Sequence, residues 1–232
     1  MKTNIVTFFI LMVLGFAVLP TYAQQESSLG GFIATPVGDF KSTDLDDGGF
    51  AKKGWGVVFD SKSKFKGLPE GLTIYFHSTY QWNEMDTETL AKEFTESLGM
   101  RTEITNSKYS PILATIGPAY DFKLAENFKL GINGTVGIMF NNTKAFSIKV
   151  YDDNNNLIVN EHYNFDNNVA FAYSFGAELR YDIVPKVLGF ALYTDYTSAK
   201  QSTDISSQNT DVETFQKLQY LNLGAKLVFL AK

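Results

Sequence analysis

The chain has 232 residues, with 20 Lys+Arg against 25 Asp+Glu for a formal net charge of −5, and no cysteine. Mild acidity argues against a nucleic-acid partner, and the missing cysteines exclude a lipoprotein anchor, a disulfide framework and thiolate metal sites. The length fits a single domain.

Residues 1–23 carry Lys2, an apolar run over 5–19, then Pro20, Thr21, Tyr22 and Ala23. That order of charge, apolar stretch and small residues is expected of a secretory signal peptide cleaved after Ala23. The remaining 24–232 is expected to form one domain with 19 basic against 25 acidic residues. No later segment reaches the roughly eighteen consecutive apolar residues of a membrane helix.

A first strand is expected within 27–37, its register blurred by Gly30, Gly31 and Pro36. Proline removes a ladder hydrogen bond, so Pro36 belongs near the strand's end or at a bulge. From 55 onward, seven stretches alternate apolar and polar residues: 55–65, 72–82, 112–122, 128–140, 169–183, 188–196 and 221–229. In one of them Phe171, Tyr173, Phe175, Ala177, Leu179, Tyr181 and Ile183 alternate with Ala172, Ser174, Gly176, Glu178, Arg180 and Asp182. A period of two is a strand period.

With the register set by the apolar residues, the 43 positions on that side hold no charge, whereas the 36 intervening positions hold ten. A soluble sandwich would scatter charges over its outer faces instead. Uncharged bulk on one side with small polar residues on the other is what a membrane barrel needs, because every backbone polar group must be paired where water is absent. The expectation is an all-β, eight-stranded antiparallel up-and-down transmembrane β-barrel. Long connections at 38–54, 83–110, 141–168 and 197–216 alternate with short ones at 66–71, 123–127 and 184–187. Long loops lie outside the cell and short turns in the periplasm. Aromatic residues gather near the strand ends, with Trp55, Tyr80, Trp82 and Tyr196 toward the loops and Tyr120, Phe122, Phe128 and Tyr181 toward the turns, as two interfacial girdles require.

Within the second loop, Leu90, Phe94 and Leu98 share a helical face, Asp86 or Thr87 is placed to cap it, and Gly99 to end it. The expected helix is a lid on the barrel rim. In the third loop, alternation at Phe146, Ile148 and Val150 followed by 157–159 predicts a projecting hairpin.

Candidates for chemistry are few. His77 stands beside Ser78, a pairing that suggests a deacylase, but adjacent strand residues point to opposite faces and cannot easily share a proton. His162, with Glu161 adjacent and Asp166 nearby, reads as a solvated loop residue. Asp152, Asn154 and Asn156 begin like a calcium loop, yet Leu157 stands where glycine is required and Tyr163 where glutamate is, so a turn is expected. Asp44, Asp46 and Asp47 lack the spacing altogether. No catalytic residue, cofactor or metal ligand is expected.

The ten inward charges divide into five acidic and five basic, as mutual pairing in a sealed lumen demands. Asp60, Asp121, Lys129, Glu178, Arg180, Asp182, Asp195 and Lys226 are expected to form a structural luminal network, with Glu178 and Arg180 joined to Lys129 and Lys226. Eight strands leave room for side chains and not for a standing pore.

The segment Pro36-Val37-Gly38-Asp39-Phe40, followed by Gly49-Phe50-Ala51-Lys52-Lys53-Gly54 and a strand, resembles the opening of the outer-membrane β-barrel domain family of small barrels common in Bacteroidota. The chain departs from the usual terminal aromatic, ending Phe229, Leu230, Ala231 and Lys232. The resemblance implies residence in the cell outer membrane, with membrane lipids and the barrel-insertion machinery as partners and an extracellular partner reached through the loops. It assigns no activity. The expected role is structural or interactive. The rival readings are an enzyme modifying lipid A, a surface adhesin or small-solute transporter, and a soluble lipocalin-like barrel.

Overall fold

The computed structural model describes residues 24–46, 48–65, 67–207 and 211–230. The expected signal peptide, Asp47 and the final Ala231 and Lys232 lie outside the described residues. Eight long strands dominate: β1 (Gln24–Pro36), β2 (Ala51–Lys64), β3 (Leu72–Met85), β6 (Pro111–Ala125), β7 (Phe128–Asn141), β10 (Ala170–Val184), β11 (Leu188–Ser206) and β12 (Asp211–Leu230). Each is antiparallel to its neighbours in the order β10-β7-β6-β3-β2-β1-β12-β11, and β11 returns to pair with β10. The sheet is therefore a closed eight-stranded barrel with no free edge through its wall, the condition for crossing a bilayer with strands. No helix among the described residues is long and apolar enough to cross a membrane.

The orientation of the strands decides which face meets lipid. Phe171, Phe175 and Leu179 are 66%, 60% and 39% exposed, whereas Glu178 and Arg180, on either side of Leu179, are 6% and 1% exposed. The same division holds on β12, where Leu221, Leu223, Leu227 and Phe229 face out and Asn222, Lys226 and Val228 are buried. Bulky apolar side chains thus clothe the outside and charges sit within, the reverse of a soluble barrel. The lipocalin-like alternative is corrected on this point. Aromatic contacts band the wall at two levels, Trp82 against both Trp55 and Tyr80 above, Tyr120 against Phe122 and Phe128 against Tyr181 below.

Pro36 closes β1 as its missing N–H requires. The second loop holds helix α1 (Thr87–Leu98), begun by the Asp86 carboxylate accepting from the Thr89 N–H and ended by Gly99 at φ +64°. Leu90 is buried in the hydrophobic core and Phe94 packs against it, while Leu98 is exposed. Around the helix run two short strands, β4 (Arg101–Ile104) and β5 (Lys108–Tyr109). The third loop is the hairpin of β8 (Phe146–Tyr151) and β9 (Leu157–Asn167). β9 pairs with β11, and β4 with β8, so the wall continues outside the barrel as the sheet β12-β11-β9-β8-β4.

Two expectations need correction. The fourth long loop at 197–216 is strand for most of its length, with β11 and β12 paired from Ala199↔Leu218 to Ser206↔Asp211. Its polar residues satisfy a two-stranded ladder in water, where the apolar alternation that marks a membrane strand is not needed. The interior is also not polar throughout. Its loop-side half holds Phe32, Phe40, Val58, Leu113, Met139, Tyr193, Leu218 and Tyr220, all buried. A closed interior is packed to the density of any protein core, and apolar side chains fill it wherever charges have no partners.

Candidate functional site

The turn-side half of the lumen gathers charged side chains from six strands, because inward positions at one height converge as the barrel closes. Lys62 donates to Asp121 at 2.7 Å and to Glu178 at 2.6 Å. Lys226 bridges Glu178 and Asp60, each at 2.6 Å. Asp60 also meets Nδ1 of His77 at 2.7 Å and accepts from Ser28 at 3.3 Å. The Lys226 ammonium stands 5.0 Å from the ring centre of Tyr193 and 5.8 Å from that of Tyr75. Every one of these charges is held by an opposite one, so desolvation is offset locally.

A second cluster lies beside it. Arg180 pairs with Glu26 and, through Nε, with Asp182 at 3.0 Å, and Lys129 stands 3.7 Å from Asp182. Glu178 and Arg180, two apart on one face, thus serve different clusters instead of one network with Lys129 and Lys226. Asp195 belongs to neither. It accepts from Thr197 at 3.1 Å and Asn222 at 3.0 Å, with no cation in ion-pairing distance among the described residues. Glu26 precedes the first strand expected at 27–37, whereas β1 begins at Gln24 and brings it into the wall. Alternation marks Lys62 as inward but gives it no partner, since only the strand register brings Lys62 to Glu178, 116 positions away.

A cleft of about 710 Å³ lined by Lys62, Asp121, Lys129 and Asp182 opens at the turn end, but little space remains at the centre of the larger cluster. The cavity bounded by Glu26, Ser28, Asp60, Lys62, Tyr75, Glu178 and Lys226 measures about 10 Å³, room for about one water. Above it the first loop stoppers the lumen. Gly38, at φ +57°, turns the chain into a short 3₁₀ turn that inserts Phe40, which meets Tyr109 at 4.9 Å and Tyr220 at 5.0 Å between ring centres. The Tyr109 hydroxyl donates to the Gly49 carbonyl at 2.7 Å, and a Cβ at Gly49 would sit 2.6 Å from the Phe40 ring. Gly38, Phe40 and Gly49 of the first loop thus form the stopper.

His77 is buried, with Asp60 on Nδ1, and the neighbouring Ser78 hydroxyl turns away to the Leu113 carbonyl at 3.0 Å. The two share no proton path. His162 lies on the exposed hairpin with Nδ1 3.0 Å from Ser147 Oγ. Asp152 accepts from the backbone of Asn154 and Asn156 and from the Asn156 side chain, closing a turn. Those bonds hold its carboxyl below the usual aspartate value. Among the described residues no group of three His, Cys, Asp or Glu is placed to hold a metal.

No family model matches the chain. No curated protein matches its sequence. Solved structures similar to it include the outer membrane protein OprG from Pseudomonas aeruginosa, with 9% identity over 90% of this chain and 98% of that one and a TM-score of 0.49. The attachment invasion locus protein Ail of Yersinia pestis, in complex with the heparin analogue sucrose octasulfate, is similar at 14% identity, 90% and 100% coverage and a TM-score of 0.43. The outer membrane protease OmpT of Escherichia coli is similar at 10% identity, 92% and 98% coverage and a TM-score of 0.44. What places the present chain in a membrane is its own surface: a closed wall whose outward side is apolar from the upper girdle to the lower. In a barrel of this kind that is the surface of an outer-membrane protein.

Proposed function

We infer that this chain is a non-enzymatic barrel of the small Bacteroidota type, anchored in the outer membrane, closed to solutes, and used to display a rigid surface outside the cell. The observation that carries the reading is a lumen blocked across its length, by the paired charges of the larger cluster and, toward the loops, by an aromatic stopper, beneath a sheet and helix that project beyond the wall. A transporter needs a path and an enzyme needs an accessible group, and the buried His77 and Glu178 offer neither. The luminal network is structural on this reading, holding eight strands in register. An extracellular partner would meet the sheet β12-β11-β9-β8-β4 and helix α1.

Planar-bilayer recording of the purified protein is expected to show no steady conductance; persistent large openings would reverse the assignment. Mass spectrometry of lipid A from cells with and without the protein is expected to give identical species. A mass difference would make it an enzyme.

A further inference from the structure

Along the outward side of β11 and β12 the residues directly opposed across the ladder are Tyr196↔Leu221, Ser198↔Gln219, Lys200↔Lys217, Ser202↔Phe215 and Asp204↔Glu213. A lysine directly opposite a lysine is an unfavourable arrangement, since their Cβ atoms lie about 5 Å apart and like charges in that position repel. Neither is drawn inward. Lys200 is exposed and stands 4.8 Å from the ring centre of Phe215, itself exposed, and Lys217 is exposed while reaching Asp39 at 2.6 Å. Asp39 meets one ammonium group of the pair, and an aromatic ring meets the other.

Height fixes what meets them. Counting up β12 from Phe229 at about 3.3 Å per residue and about 40° of tilt, an apolar band of roughly 25 Å ends near Gln219. Gln219 there donates to the hydroxyl of Tyr196, a girdle residue, at 2.9 Å. The lysine pair is the next outward pair above, at the depth of lipid headgroups. The acidic pair Asp204↔Glu213 stands about 13 Å farther along the ladder, with Asp166 opposite Asp204 on the neighbouring strand. Of the charged pairs on these two strands, the basic one stands nearer the bilayer surface and the acidic one farther from it.

Resting on the reading of the chain as an outer-membrane barrel, we propose that Lys200 and Lys217, with Phe215 as a flanking ring, bind the phosphate of an outer-leaflet lipid headgroup. The phosphate screens the lysine pair, its acyl chains lie against Leu221, Leu223 and Tyr196 below, and Phe215 covers the sugar or glycerol side of the headgroup.

The test uses full-length protein in mixed micelles, with heat-modifiable gel mobility confirming the fold of each variant. Native mass spectrometry measures retention of diphosphoryl lipid A against the same lipid with its phosphates removed. Wild type is expected to prefer the phosphorylated form about tenfold, and the double variant Lys200→Gln/Lys217→Gln to lose that preference. The double variant Lys64→Gln/Lys186→Gln, with the same change of net charge at the turn end, is expected to keep it. Unchanged retention by the first variant, or equal loss in both, overturns the proposal. So does inorganic pyrophosphate binding as tightly as the lipid, which would mark a site for free anions. A wild type that does not show heat-modifiable mobility fails the barrel reading itself, a separate outcome.

Discussion

Glu178 joins the two luminal lysines of the larger cluster, Lys62 and Lys226. Replacing it by alanine leaves Lys62 with Asp121 and Lys226 with Asp60, each with one partner where it had two. Breaking a buried ion pair costs about 3–5 kcal/mol, so Glu178→Ala is expected to lower the urea-unfolding midpoint in micelles by an amount equivalent to about 3 kcal/mol. At the hairpin tip the sign with pH is set by Asp152. Its folded value lies below the ordinary 3.8, so the stability it lends is present above that value and is lost as pH falls through the lowered one. Hydrogen exchange at the Asn154 and Asn156 amides is expected to quicken in Asp152→Ala at neutral pH and in the wild type only under strong acid. Residue identities in the lumen are legible from alternation alone, which marks Glu178, Arg180 and Lys226 as inward. Their partners are not, since a two-residue period says which face a side chain takes and nothing about which strand lies beside it.

Among the elements, the first-loop stopper and helix α1 depend on different forces. Phe40 is fully buried between Tyr109 and Tyr220, and Phe40→Ala is expected to cost about 3–5 kcal/mol, read from the unfolding midpoint. Asp86→Ala removes a cap and a half-exposed ion pair with Lys52 and is expected to cost about 1 kcal/mol, seen as faster exchange centred on Thr87–Leu98. The helix is readable in advance because its signals are local: a capping carboxylate, apolar residues four apart and a terminal glycine. The stopper is not, because Phe40 and Phe50 sit in a segment without period, and only the closed barrel supplies the pocket they enter. The continuation of β11 and β12 beyond the membrane escapes notice for a related reason. Outside lipid, a ladder carries polar residues on both faces, and its sequence loses the contrast that identifies a strand.

At the scale of the whole molecule, the wall and its contents are separable. The wall is written in the alternation of seven stretches, and its eighth strand closes the ring although glycines obscure it. A single arginine at Leu223, which faces lipid near the middle of β12, is expected to destabilise the barrel in bilayers by about 2–4 kcal/mol, measured by folding yield into vesicles. The same substitution at exposed Leu157, on the extracellular hairpin, is expected to leave that yield unchanged.

The seating of Phe40 inside the barrel mouth also bears on how the molecule can be altered by design. A foreign peptide spliced between residues 38 and 50 would evict that ring and uncork the vessel, whereas one spliced at 153–155, in a solvent-facing turn far from the rim, would ride on the hairpin as cargo on a mast. Of the connections on the outer side, the shorter one is the poor graft site and the hairpin apex the good one.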